Sequence, residues 1–357
     1  MERKPFYKTV PFSLLLLPTL ITIGIAVTLM YWHVSTRVDV SLTVNRAIFT
    51  IGGAERLPIV NSIPFESLTI ERFASIKFNP KKVKVVDPEE YKRSNGQASS
   101  RRRRVVITGG NQATATFRPK QPGTLSAIWL DSGSTVTLTV SRKNAIVLEL
   151  GGQKFAEKLL IRGPFQLDTF NCQVTGIDVP DSEEISYLVE LPRSKHLVEF
   201  ESEKKLVLNL TIPEKKIENL FPEGSIPVEG SMRFFRKEGK RTLTSLVHEG
   251  KITYPKYPKI DAVSLQATDF FRIKKLDKFT IEEMSMKPEH IGVEIRLYGK
   301  AGYIGVGPRE FPRDCSLTMF DILWYDKKLV FLFLIFGGTF TVLERLWGLY
   351  KEVKDGA

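Results

Sequence analysis

The chain has 357 residues, 42% of them hydrophobic and 26% charged, and carries a formal net charge of +12. That length accommodates two or three domains, and basic residues spread among acids describe a solvated surface rather than a dedicated polyanion binder. The two cysteines, Cys172 and Cys315, exclude a disulfide framework and a cysteine-based metal site; free thiols are expected, since a single long-range disulfide would need an oxidising compartment.

Residues 1–8 form a short basic tail with Arg3, Lys4 and Lys8, and residues 9–32 follow with no charge at all. A helix needs about 20 apolar residues to cross the hydrocarbon core, and charges there are costly, so 9–32 is expected to be a transmembrane helix. Tyr31 and Trp32 stand where an aromatic belt belongs. A cleaved signal peptide is the rival, but the block is long for one and no A-x-A-like site follows, which favours an uncleaved signal anchor.

From Val38 the pattern changes to period-two alternation rich in Val, Thr, Ile and Phe. Residues 38–51, 134–140, 205–212 and 291–299 all read as half-buried strands, with Gly, Pro, Asn and Asp at short intervals between them. No stretch sustains helical periodicity. The expected class is mainly β: tandem antiparallel β-sandwich-like domains between an N-terminal and a C-terminal transmembrane helix. A strand, a basic turn, a second strand and a Gly-Gly turn occur at 40–53 and recur at 136–152, with Pro64-Phe65 and Pro164-Phe165 similarly placed. Recurrence at this spacing means tandem domains rather than a solenoid. The expected divisions are a β domain at 33–135, a second at 136–225 that repeats the first, and a third at 226–312.

The most conspicuous local feature is basic. Lys81, Lys82, Lys84, Lys92 and Arg93 precede Arg101, Arg102, Arg103 and Arg104, with a polar, Ser- and Gly-containing run among them that cannot nucleate a core. The stretch 81–104 is expected to be a mobile loop able to dock electrostatically on anionic lipid or another acidic partner. Tyr91 is the sole interleaved aromatic, which disfavours nucleic acid. A solvated loop tip is the plainer alternative.

A connector at 313–328 leads to a second apolar block, Leu329 to Leu343, which the amphipathic tail through Tyr350 extends. A transmembrane helix is expected over 329–350, with Trp324 and Tyr325 on one side and Trp347 and Tyr350 on the other, followed by a tail at 351–357. Gly24 with Thr28, and Gly337 with Thr341, make small-xxx-small pairs that permit close helix approach, hence a homo-oligomer or a protein complex. Lys and Arg counts flanking both blocks place the two termini in the cytoplasm and the β body on the opposite side. The expected location is the plasma membrane of a bacterium.

Chemistry is sparse. The four histidines, His33, His196, His248 and His290, show no ligand spacing, and neither Gly-Gly pair leads into a phosphate cradle. The acid pairs at 89–90, 183–184 and 282–283 read as solvated, and no catalytic, cofactor-binding or metal residue is assigned. Asn209 opens a glycosylation sequon inside an expected strand. The function expected is a non-enzymatic binding or assembly module on the bilayer. A ligand-sensing effector whose helices oligomerise or perturb the bilayer is the alternative, and a β-sandwich hydrolase a more distant one.

Overall fold

The computed structural model describes residues 27–60, 63–86, 104–142, 144–176, 184–191, 197–213, 225–238, 242–267, 269–286, 292–308 and 313–326, together with residues 20, 24, 25, 344, 345, 347, 348 and 351. Its fold is mainly β and sandwich-like, built from several antiparallel sheets. Among the described residues no helix is long and apolar enough to cross a membrane. Most of 9–32 and 329–350 lies outside the described residues, so the expectation of two transmembrane helices rests on the sequence alone.

Alternation is the force behind the architecture. In Ala145–Gly151 every second residue is buried, so Ile146, Leu148 and Leu150 enter the core while Glu149 stays on the outer face. The same period runs through Arg46–Ile51, Ser67–Glu71 and Phe155–Leu160. The strands combine into a 16-stranded sheet and a 7-stranded sheet, with two two-stranded sheets besides. Phe78, in the smaller sheet, meets Phe165, in the larger, edge-to-face at 6.1 Å, and Phe117 flanks Phe165 at 5.7 Å. Each fully buried Phe is worth roughly 1.5–3 kcal/mol of transfer, so this trio is a principal fastening between the layers. Gly123 is opposite Phe65, and a Cβ at that position would lie 2.5 Å from the ring; only glycine lets the strands close there.

The large sheet joins strands that are distant in sequence. At one end it runs through Val263–Gln266, Val247–Thr253, Thr36–Val44, Val293–Pro308, Asp269–Met286 and Ile226–Arg233. It then passes through Arg46–Ile51 and Thr135–Arg142 to strands drawn in alternating pairs from 136–225 and 33–135, ending on Lys82–Val86. Thr36–Val44 and Arg46–Ile51 are separated only by Asn45, yet they pair with different neighbours. Asn45 donates its N–H to Leu246 O at 2.9 Å and accepts from Val140 N at 2.8 Å, so one residue ties the two regions of the sheet. Thr135–Arg142 and Ala145–Gly151, by contrast, form a hairpin with each other.

The long hairpin of Asp269–Met286 and Val293–Pro308 is bulged, with register shifts between Asp277 and Thr280 and again between Ile281 and Glu283. Lys275 and Lys278 there have positive φ, 54° and 49°, the local backbone reversal that lets a bulged strand bend. The region 313–328, expected as a connector, holds two elements. Arg313–Asp314 adds to the edge of Val293–Pro308, and Met319–Asp326 is an α-helix.

Candidate functional site

The residues that flank the two apolar blocks are fastened to each other. Val34 N–H donates to Leu317 O at 2.9 Å, Met319 N–H donates to Trp32 O at 2.9 Å, and His33 bridges to Thr318. Beside this backbone pairing, His33 Nδ1 lies 3.6 Å from Asp314 Oδ2. The chain leaving the first block and the chain entering the second therefore form one clasp.

Local sequence explains why the clasp holds. Thr318 caps the Met319–Asp326 helix reciprocally: its hydroxyl accepts from Asp321 N at 3.2 Å, and Asp321 Oδ2 accepts from Thr318 N at 2.9 Å. Asp321 also complements the positive end of the helix. Just upstream, Cys315 N–H donates to Ile304 O at 2.7 Å, and the Tyr254 hydroxyl donates to Cys315 O at 2.5 Å. Tyr254 is 3% exposed, and burial pushes its phenol up from the ordinary range, so it stays a neutral donor. Ser316 is buried, and its hydroxyl accepts from Ile304 N at 2.8 Å. The Thr318–Asp321 spacing is the sequence signal for this helix, and periodicity alone missed it because eight residues make barely two turns.

The helical residues that lead into the clasp have an unusual environment. Ile25, Val27, Met30 and Tyr31, with Trp32 just after the helix, are all exposed by 45% or more, while Leu29 is half-buried. The Thr28 hydroxyl bonds back to Gly24 O at 2.8 Å, which satisfies it without water.

The basic residues expected to bind an anionic partner are not gathered by the described structure into one pocket. Lys82 and Lys84 lie on Lys82–Val86, the last strand of the large sheet, where the sequence suggested a loop. Lys81 is exposed and donates its backbone N–H to Glu190 O at 2.6 Å. Arg104 adjoins the smaller sheet, 3.5 Å from Glu199. Lys92, Arg93, Arg101, Arg102 and Arg103 lie outside the described residues. Lysine on an edge strand has its own structural use, since another strand pairing there would have to desolvate the charge.

A groove of about 530 Å³ opens on the large sheet over Ser41, Thr43, Glu249, Lys251, Glu294 and Arg296. Register explains it: Ser41 stands between Lys251 and Arg296, and Thr43 between Glu249 and Glu294, so alternate residues of three adjacent strands share its floor. Arg296 is held by Asp39 at 2.8 Å and lies 3.8 Å from Glu282. This surface can hydrogen-bond and neutralise charge. Among the described residues no cluster of three or more His, Cys, Asp or Glu is placed to hold a metal ion.

Among the described residues Glu157 is the buried acid. It is 6% exposed between Phe155 and Leu159 on the same strand, and accepts Trp129 N–H at 3.3 Å. Desolvation raises its carboxyl above the usual range, partly opposed by that hydrogen bond and by Arg56. Cys172 and Cys315 are both free. Burial pushes the Cys172 thiol up to about 11, which makes it a poor nucleophile. No known protein family matches the chain, and comparison with curated proteins finds no match either.

Proposed function

We propose that this protein is a membrane-anchored, β-sandwich-like body that acts as a non-enzymatic binding or assembly module on the bilayer surface. One observation carries the reading: the clasp through which Trp32 and Val34 pair with Met319 and Leu317. It brings both apolar blocks to one end of the body, as a pair of antiparallel spans requires. Before the clasp Ile25, Val27, Met30 and Tyr31 are apolar and exposed, which is the surface a span presents to lipid. In this reading both termini are cytoplasmic and the body lies across the membrane from them. Tied at both ends, the body is held close to the surface, where the basic stretch around Lys82 and Arg104 is available to an acidic partner.

The test is extraction. The full chain should stay with the membrane through an alkaline carbonate wash, and the mature protein should retain residues 9–32. Release by the wash, or a mature chain starting near residue 35, would reject double anchoring. The docking role of the basic stretch has a separate assay. Neutral proteoliposomes bearing the protein should capture anionic vesicles in a salt-sensitive way, and combined R101Q, R102Q, R103Q and R104Q should reduce the capture. Equal capture by the variant would reject it.

A second reading is favoured by Gly24 and Thr28. Nothing stands within 4 Å of a Cβ placed on Gly24, and Thr28 is exposed on the same face, so a small-residue face is open to another helix. In that reading the anchors self-associate and couple the state of the body to the bilayer. Analytical ultracentrifugation in detergent of the wild type and G24L tests it, and a wild-type monomer would reject it.

A further inference from the structure

Between the strands Val247–Thr253 and Val263–Gln266 the chain reads Tyr254-Pro-Lys-Tyr257-Pro-Lys-Ile260. It forms two successive turns closed by Tyr257 N–H to Tyr254 O at 2.8 Å and Ile260 N–H to Tyr257 O at 3.0 Å. Proline occupies the second position of each turn, where its fixed φ suits the geometry, and lysine the third. The period of three sorts the side chains. Tyr254 is buried, and Tyr257 and Ile260 pack partly buried against the core. Pro255, Lys256, Pro258 and Lys259 are exposed. Lys256 Nζ lies 5.8 Å from the centre of the Tyr257 ring. The result is a rigid ledge that presents two ammonium groups.

Register fixes where the ledge stands. Thr253 pairs with Asp39, and Thr36–Val44 runs antiparallel to this strand, so the turns continue past Thr253 toward the Thr36 end. The Tyr254 hydroxyl then ties the first turn to Cys315 O, three residues before the helix cap at Thr318. The ledge is therefore built into the rim from which both apolar blocks depart. Arg37 and Arg313 are exposed on that rim as well, where the acids include exposed Asp261, Asp314 beside His33, and Asp321 at the helix cap.

We propose that Lys256 and Lys259 dock on the phosphates of anionic lipid headgroups and so seat the β body on the bilayer. This rests on the reading that the apolar blocks span the membrane. Prolines and two turn hydrogen bonds preset the ledge, so little conformational entropy is lost when it docks. Its polar tips are two compact, mobile point charges, suited to headgroups that vary in position.

The test uses the full chain in nanodiscs of phosphatidylcholine alone, or of phosphatidylcholine with phosphatidylglycerol, read by hydrogen exchange at the amides of Tyr257 and Ile260. With each lysine worth about fivefold near an anionic surface, protection should rise by up to about 25-fold in the anionic discs. The rise should vanish in K256Q/K259Q and persist in K256R/K259R. Equal exchange in the two lipids would overturn the docking, as would loss of the rise in the arginine variant, because charge would then not be its basis. Protection induced in neutral discs by added glycerol phosphate would assign the ledge to a free phosphate and overturn the docking too. A chain that fails to enter nanodiscs and leaves membranes in carbonate would overturn the anchoring reading, and this proposal with it.

Discussion

Met319 N–H meets Trp32 O at 2.9 Å, so the last residue of one apolar block is hydrogen-bonded to the first residue of the helix that leads to the other. The relationship is built from backbone groups, which makes it insensitive to side chains at those two positions. What it depends on is the geometry of the chain around Thr318, where the helix begins.

Thr318→Ala should therefore loosen the clasp. The substitution removes the hydroxyl that accepts Asp321 N–H and donates to the Asp321 carboxylate, leaving that carboxylate the backbone N–H of residue 318. A cap of this kind is worth about 1 kcal/mol. Thermal unfolding of the β body should shift down modestly, and the Val34 amide should lose exchange protection more than amides in Ala145–Gly151. Equal loss at both places would mean that the cap serves global stability and not the clasp.

Glu157 makes stability depend on pH in a defined direction. Its folded-state carboxyl is raised above the unfolded value by desolvation, so between the two values the native state binds more protons than the unfolded one. Its contribution is thus most favourable below the usual Glu range near 4.3 and is lost as pH rises through the raised value. Glu157→Gln, which keeps an acceptor for Trp129 N–H, should raise the melting temperature at pH 7 and have less effect at pH 4. A lower melting temperature at pH 7 would show that the ionised carboxylate is a needed partner.

The thiol of Cys172 should be slow to alkylate. With its pKa pushed up to about 11, the thiolate fraction at pH 8 is roughly 200-fold below that of an ordinary cysteine. Iodoacetamide labelling of the native chain, followed by mass spectrometry, should find Cys172 largely unmodified until denaturant is added. Fast native labelling would place that residue at the surface.

Lys82 and Lys84 should act as guards of a sheet edge. Lys82–Val86 has a strand partner only at Glu184–Glu190 in the described structure. Replacing both lysines with Val leaves five residues of β-branched, uncharged edge. The double variant should self-associate at concentrations where the wild type does not, as read by light scattering. Unchanged scattering would leave the lysines without this role.

Sequence made the faces legible and left the partners hidden. Alternation at 38–51, 134–140 and 205–212 marks strands that are present as Thr36–Val44, Arg46–Ile51, Thr135–Arg142 and Lys205–Thr211. Nothing in that pattern says that Leu42 pairs with Gly250 and Ile295, because period two encodes which side is buried and carries no address for a neighbour far along the chain. The Met319–Asp326 helix was hidden for the opposite reason: its start signal is present, but it is too short to show a period. Lys82 and Lys84 drew attention as charge, and the valines between and after them, Val83, Val85 and Val86, were the overlooked strand signal.

The most direct test of the central claim is topology. Epitope tags at both ends of the full chain, in sealed spheroplasts treated with external protease, report which side each terminus occupies. Two spans leaving one clasp predict that both tags resist digestion while the β body is cut. Digestion of one tag with protection of the other would mean that the two apolar blocks do not cross as a pair, and would contradict the account.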